Sequence, residues 1–191
     1  MPFEERAPKI TDPRAMRALA HPVRLAILEH LTLEGTLTAT QAAERVGESP
    51  SACSFHLRQL AKYGFVEEAG RGAGRERPWR AARLGFSLDR VHPDTETTVA
   101  AAGLENVLVS RFLAELQDWY RTSASYPNEW QEAAHSSSTL AYLTAEELRE
   151  LDRELAAVVE PYRDRIADKG ARPPGSRPVQ LLRFAFPKGA G

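Results

Sequence analysis

Cysteine is almost missing from this 191-residue sequence, in which Cys53 stands alone. An internal disulfide is therefore excluded, and so are the Cys-rich clusters of structural zinc. Long apolar runs are missing too: no stretch approaches the roughly 18 apolar residues of a membrane span, and Met1 to Arg6 have neither the basic start nor the apolar core of a signal peptide. The expectation is a cytoplasmic protein, without a membrane partner, held together by packing. Net charge is also small, −1, which taken alone argues against a strongly basic nucleic-acid binder. What is present, 42% hydrophobic and 27% charged residues, excludes disorder throughout and fits one or two globular units.

The charge is unevenly spread. Residues 1–92 hold 14 Arg or Lys against 11 Asp or Glu, whereas residues 93–191 hold 11 against 15. Arg71, Arg75, Arg77, Arg80, Arg83 and Arg90 face only Glu76 and Asp89 in their own stretch, a basic run that reads as a ligand for phosphates or as a solvated face.

Punctuation along the first half is dense. Asp12-Pro13 reads as an N-cap followed by proline at the first helical position, opening a helix to Leu19. His21-Pro22 repeats the device before Val23, Ile27, Leu28 and Leu31, whose spacing predicts a core-forming helix through Leu33. Gly35 breaks it, Thr36-Leu37 is a minimal strand, and Thr38 with Gln41 has the capping-box spacing for a third helix to Val46. Gly47 then stops that helix and Ser49-Pro50 starts a fourth only two positions later, so two short helices meet at a tight turn. On the fourth, Cys53, Leu57 and Leu60 turn one face inward and leave Ser51, Ser54, Phe55 and Arg58 outside. Gly64 is a left-handed cap that lets Phe65 fold back on Leu60. A strand at Phe65–Glu68, a glycine-rich loop at Gly70–Gly74 and a returning strand at Arg75–Ala82 complete a hairpin with an arginine-rich tip.

The second half is less sharply marked. A long helix is expected from about Glu96 to Tyr120, and a second capping box, Thr144 with Glu147, opens another whose Leu148, Leu151, Leu155, Val158 and Tyr162 suit packing against a further helix. Pro161 is expected to kink or stop it near Ala157–Glu160. A short helix around Glu129–Ala134 and strands at Thr139–Leu143 and, after a linker at Arg172–Pro178, at Val179–Phe186 complete the expected set. There is no internal repeat.

Helix, tight turn, helix and basic hairpin form the informative constellation. A helix whose N-terminal end presents small polar and basic side chains fits the major groove of DNA, with the preceding helix across the phosphates and the hairpin reaching the neighbouring minor groove. The runs Leu19-Ala20-His21-Pro22-Val23-Arg24-Leu25-Ala26-Ile27-Leu28 and Ser51-Ala52-Cys53-Ser54-Phe55-His56-Leu57-Arg58-Gln59-Leu60, continued by Tyr63-Gly64-Phe65-Val66 and Gly72 to Trp79, resemble the ArsR-like winged helix-turn-helix transcriptional regulators over roughly residues 10–85. The resemblance implies a mostly α, dimeric bacterial regulator of double-stranded DNA, more a repressor than an activator, with a two-stranded wing. By position it implies base contacts from Ser51, Ser54, Phe55 and Arg58, backbone contacts from Thr38, Gln41 and Ser49, and a wing carried by Arg71, Arg75 and Arg77. Phe55 stands where many relatives place a polar residue, so it offers a thymine methyl an apolar contact or packs on the wing. His56 reads as a half-buried, hydrogen-bonded histidine rather than a base reader.

The sequence departs from metal-sensing relatives. Cys53 is alone on a core face, His21, His30, His92 and His135 are scattered, and the helix expected at 96–120 has no histidine, so neither a metal nor any other cofactor is expected. Catalytic signatures are missing as well: there is no nucleophile elbow or dinucleotide fingerprint, and Gly70–Gly74 lacks the ending of a phosphate loop. No enzyme is expected. The expected organisation is a DNA-binding domain over 1–92 and, over 93–191, a helical region that dimerises through Leu104, Leu108, Phe112, Leu148, Leu151 and Leu155 and ends in a strand. Trp119, Trp130 and Tyr142, with Tyr126, Phe184 and Phe186, are aromatic enough to line a pocket for a small organic effector or to be ordinary core or dimer interface. The reading from a different class is an interaction module that keeps the fold but sequesters a protein partner.

Overall fold

The computed structural model describes residues 8–70, 77–89 and 91–189. Helices α1 (Pro13–Leu19) and α2 (Pro22–Glu34) lead to strand β1 (Thr36–Leu37), helices α3 (Ala39–Val46) and α4 (Pro50–Lys62), and strands β2 (Val66–Glu68) and β3 (Trp79–Ala81). The long helix α5 (Thr95–Thr122), a short α6 (Asn128–Ala133) and α7 (Ala145–Ala167) follow. The protein is thus mostly helical with one small antiparallel sheet, ordered β1-β3-β2.

Local chemistry accounts for most boundaries. The Asp12 carboxylate accepts the Arg14 N–H, the Thr38 and Gln41 side chains cap each other's backbone, and the Ser49 hydroxyl accepts the Ala52 N–H. At Gly47 the backbone turns left-handed, with φ of +72°, and no other side chain type adopts that cheaply. Gly64 does the same at the end of α4, where the Phe65 N–H reaches the Leu60 carbonyl at 3.0 Å. His21 departs from the pattern: it precedes α2 at the cap position, but its side chain makes no cap hydrogen bond, because the ring is packed against His56 instead.

One core runs through the first half of the chain. Met16, Leu19, Ile27, Leu31, Cys53, Leu57 and Leu60 are fully buried in it. The sheet seals its edge: Val66 pairs with Ala81, Glu68 and Leu37 both lie opposite Trp79, and Arg80 between them reaches Glu67 at 2.7 Å. The expected hairpin is the antiparallel pair β2–β3, and the expected minimal strand β1 adds to the far side of β3 to make a three-stranded sheet with strands of two or three residues.

The division expected at residue 92 does not coincide with the end of the core. Thr97, Ala100, Ala101 and Leu104 of α5 are buried, the last three in the same cluster as Met16 and Leu19, and α5 packs along α1. Leu104, expected at a dimer interface, is thus a core residue of its own chain. A second tie comes from the far end: Lys169 donates its ammonium to the Glu34 carbonyl at 2.7 Å, placing a cation at the C-terminus of α2 where the helix dipole favours it.

Two strands expected in the second half do not form, and of the kink or stop expected at Pro161 the stop does not occur. α7 runs through Pro161 without stopping; Pro161 and Ala157 are both solvent-exposed, so the carbonyl left without an N–H donor faces water and the fixed proline φ suits the helix. The strands expected at 139–143 and 179–186 do not form: among the described residues neither segment joins a sheet. Among the described residues no helix is long and apolar enough to cross a membrane.

Candidate nucleic-acid interface

α4 is fixed from below and open above. Its Cys53, Leu57 and Leu60 are buried, while Ser51, Phe55 and Arg58 are exposed and Ser54 is half-buried. Phe55, 52% exposed, is too open for a core residue; its ring meets that of His56 edge-on, 5.6 Å away between centroids. The wing tip, on which the second of its two expected roles depends, lies outside the described residues. Arg58 donates to the Ser54 hydroxyl at 2.7 Å, one turn back, so guanidinium and hydroxyl form a preset polar pair on the outer face.

The expected backbone contacts sit at the N-termini of α3 and α4. Gln41 N–H donates to the Thr38 hydroxyl at 3.2 Å and Thr38 N–H to the Gln41 carbonyl oxygen at 2.8 Å, while the Ser49 and Ser51 hydroxyls lie 3.0 Å apart. A capping hydroxyl spends its oxygen on the helix and keeps its hydrogen to donate, so capping and phosphate contact are compatible roles. Both helix starts also present the positive end of their dipoles. The structure thus brings Thr38, Gln41, Ser49, Ser51, Ser54, Phe55 and Arg58 onto two consecutive helices and their N-caps, joined by the three-residue turn 47–49.

On the wing, Arg71 and Arg75 lie outside the described residues. Arg77 is exposed and pairs with Glu68 at 3.0 Å, across the base of the hairpin. Two cations there, Arg77 and Arg80, are each matched by a strand carboxylate, so the base of the hairpin carries less net positive charge than its arginine count suggests.

Beneath α4 lies a feature that single-residue reading missed. The His21 and His56 rings are tilted against each other with centroids 4.7 Å apart, and the Nδ1 atoms of both, together with Arg24 Nε, are buried without a hydrogen-bond partner among the described residues. Thus His21 is not isolated, and His56 is half-buried as expected, with its Nδ1 lacking a hydrogen-bond partner among the described residues. Burial, first, and Arg24 hold His21 below the usual histidine range; burial, then His21 and Arg24, do so for His56, while Glu48 opposes in both cases. Because the unfolded chain takes up these protons at higher pH than the folded one, stability is complete above the ordinary histidine range and falls as pH drops through it. Thermal melts at pH 7.5 and 5.5 should show wild type losing several degrees, and His56→Gln losing less; equal losses would contradict the pairing. Burial also pushes the Cys53 thiol up, which keeps it protonated and poorly nucleophilic.

The expected aromatic pocket does not form around its three named residues. Tyr142 is fully exposed; Trp119 meets Tyr126 edge-on at 5.0 Å, and Arg177 lies over Tyr126 and Trp130. A groove of about 420 Å³ lies elsewhere, between α2, α5 and α7, with Leu25, Leu28, Leu108 and Phe112 on its apolar side and Arg111 paired with Glu29 and Glu115 on its rim. Leu108 and Phe112, expected in a dimer interface, are half-buried along it. Among the described residues no three His, Cys, Asp or Glu side chains converge as a metal site.

The sequence pattern of a helix-turn-helix domain family matches residues 19–69, the stretch from the end of α1 through β2. No curated protein matches the chain. Residues 19–69 therefore carry a helix-turn-helix domain, a DNA-binding regulatory fold rather than a catalytic one.

Proposed function

We propose that the chain is an ArsR-like, sequence-specific transcriptional repressor that binds a pseudo-palindromic operator as a homodimer, with α4 in the major groove. The observation that carries this is the outer face of α4: Ser51, Phe55 and Arg58 are exposed, Ser54 is half-buried, and all four sit on a helix whose opposite face is locked into the core. Ser54 and Arg58 offer hydrogen bonds to base edges or phosphate, Phe55 offers apolar contact to a thymine methyl, and the capped starts of α3 and α4 hold the backbone. Repression follows from occupancy of the operator. A small amphipathic effector would bear on both halves of the molecule from the groove between α2, α5 and α7, since that groove is walled by helices of each.

Anisotropy titration against DNA upstream of the chain's own coding region, over a salt series, tests the proposal. Specific binding should exceed non-specific binding by about 10³-fold or more and weaken steeply with salt. Ser54→Ala and Phe55→Ala should alter the sequences recovered in a binding-site selection. Arg77→Ala should weaken all duplexes alike and lower the salt slope by about one, helped by the Glu68 carboxylate that it leaves unpaired. Identical selected sequences for wild type and α4 variants would remove α4 from base readout. Binding no stronger than to random DNA would favour the interaction module.

A further inference from the structure

The groove between α2, α5 and α7 carries a charge imbalance. Its lining sets Glu29, Glu115, Glu160 and Asp164 against Arg111 and Arg163, a net −2 in one groove of a chain whose total is −1. Two walls share the imbalance. On one, Arg111 of α5 pairs with Glu29 of α2 and with Glu115 one turn along its own helix. On the other, Glu160, Arg163 and Asp164 stand three and four positions apart along α7, a spacing that puts them on one face. Each wall thus sets two carboxylates around one guanidinium. Arg111 is committed to both of its carboxylates and its side chain is 22% exposed, whereas those of Glu29 and Glu115 are 41% and 34% exposed. The carboxylates are therefore more open to an incoming group than the guanidinium between them.

The remainder of the lining is largely apolar. Leu25 and Leu28 of α2 and Leu108 and Phe112 of α5 are joined there by Leu84 and Phe86, from the segment after β3. At about 420 Å³ the groove falls within the roughly 300–1,000 Å³ of small-molecule sites.

This combination selects among ligands. An anion would have to displace Glu29 or Glu115 from Arg111 and would then lie among like charges, which repel it. A neutral apolar body gains from leaving water and nothing from the charge. A cation on an apolar body gains both: its charge meets an excess carboxylate from each wall at the intermediate dielectric of a surface groove, and Phe86 and Phe112 bring aromatic rings, whose faces attract cations. A bare metal ion would leave the apolar lining unused. Position adds a consequence for the rest of the molecule. Leu25, Leu28 and Glu29 belong to the helix that packs on α3 and α4, and Leu84 and Phe86 follow the returning strand of the hairpin. An occupant therefore touches the frame of the DNA-binding half while it bears on α5 and α7.

We propose that the groove binds a lipophilic organic cation, a protonated amine or a quaternary onium centre on a compact apolar body, and that this is the class of effector to which the regulator responds. The effector role rests on the transcriptional reading above; the site itself does not.

Equilibrium dialysis of the full chain, without DNA and in a sodium buffer, against tetraphenylphosphonium and tetraphenylborate tests the site, because the two ions have nearly one shape and opposite charge. The phosphonium should bind once per chain and at least about 10-fold more tightly than the borate. Glu115→Gln with Asp164→Asn removes one carboxylate from each wall and should weaken phosphonium binding at least about 10-fold while raising that of the borate. Asp164 is exposed and Arg111 keeps Glu29 in this variant, so its thermal melt should match that of wild type. Leu108→Trp, which fills the groove and leaves its charges in place, should abolish binding of the phosphonium. No phosphonium binding, equal affinity for the two ions, or binding that survives both variants overturns the site. Operator titration of the same samples separates this from the transcriptional reading. Saturating phosphonium should shift operator affinity at least about 5-fold, and an unchanged affinity overturns the effector role. A chain that binds its operator but rejects the phosphonium overturns the site and leaves the regulator standing; one that takes the phosphonium selectively but binds no operator supports the site and overturns the regulator.

Discussion

Leu104→Ala should lower the unfolding free energy by about 3 kcal/mol and leave the association state of the folded protein unchanged. Leu104 is fully buried against the core that contains Met16 and Leu19, so truncation opens a cavity that α1 and α5 close only partly. For a urea slope of about 2 kcal/mol/M the midpoint falls by roughly 1.5 M. Leu116→Ala, two turns or more along the same helix but exposed, should change monomer stability little. The two variants together separate the part of α5 that serves its own chain from the part that does not. If Leu104→Ala kept full stability but dissociated the dimer, α5 would face a partner along its whole length, and the core described here would be wrong.

Local signals were legible in the sequence because their physics is local. Asp12, Thr38 with Gln41, Ser49 and Thr144 with Glu147 cap the helices they precede, since a side-chain oxygen needs only the next three residues to find its donor. The inward row of Cys53, Leu57 and Leu60 and the outward Phe55 followed from helical spacing alone. His21 marks the limit: it stands at a cap position but stacks on His56, 35 positions away, and sequence spacing carries no information about such contacts.

The same limit explains the second half. Excess apolar residues on α5 say that the helix is covered on several sides without saying by what; Leu104 is fully buried against α1, whereas Leu113 and Leu116 are left partly exposed. The apolar and aromatic run at 179–186 and the β-propensity at 139–143 are local signals, while a strand also needs a neighbour at the right register, which sequence spacing does not specify. An inventory of aromatics likewise says nothing of convergence, and Tyr142 ends far from enclosure.

If the chain is the proposed homodimer, Leu151→Asp with Leu155→Asp should dissociate it and reduce affinity for a full operator by about 10²- to 10⁴-fold, the range by which linking two sites raises avidity. Leu151, Leu155, Val158 and Tyr162 form one exposed row on α7, while Ala156 on its other side is buried against its own chain. That row is largely exposed in the single chain, so two aspartates cost little in the monomer and would be buried unpaired in the proposed dimer, at several kcal/mol. A two-fold axis places two recognition helices in successive major grooves, roughly 34 to 36 Å apart; without it each chain holds one half-site. Affinity for an isolated half-site should therefore stay at the wild-type value, which shows that α3, α4 and the sheet remain folded. Cutting the chain before α5 would not be an equivalent experiment, because it removes Ala100, Ala101 and Leu104 from the core. A double variant that sediments as a dimer and binds the full operator normally would move the interface off α7, to α1 or to the exposed end of α5.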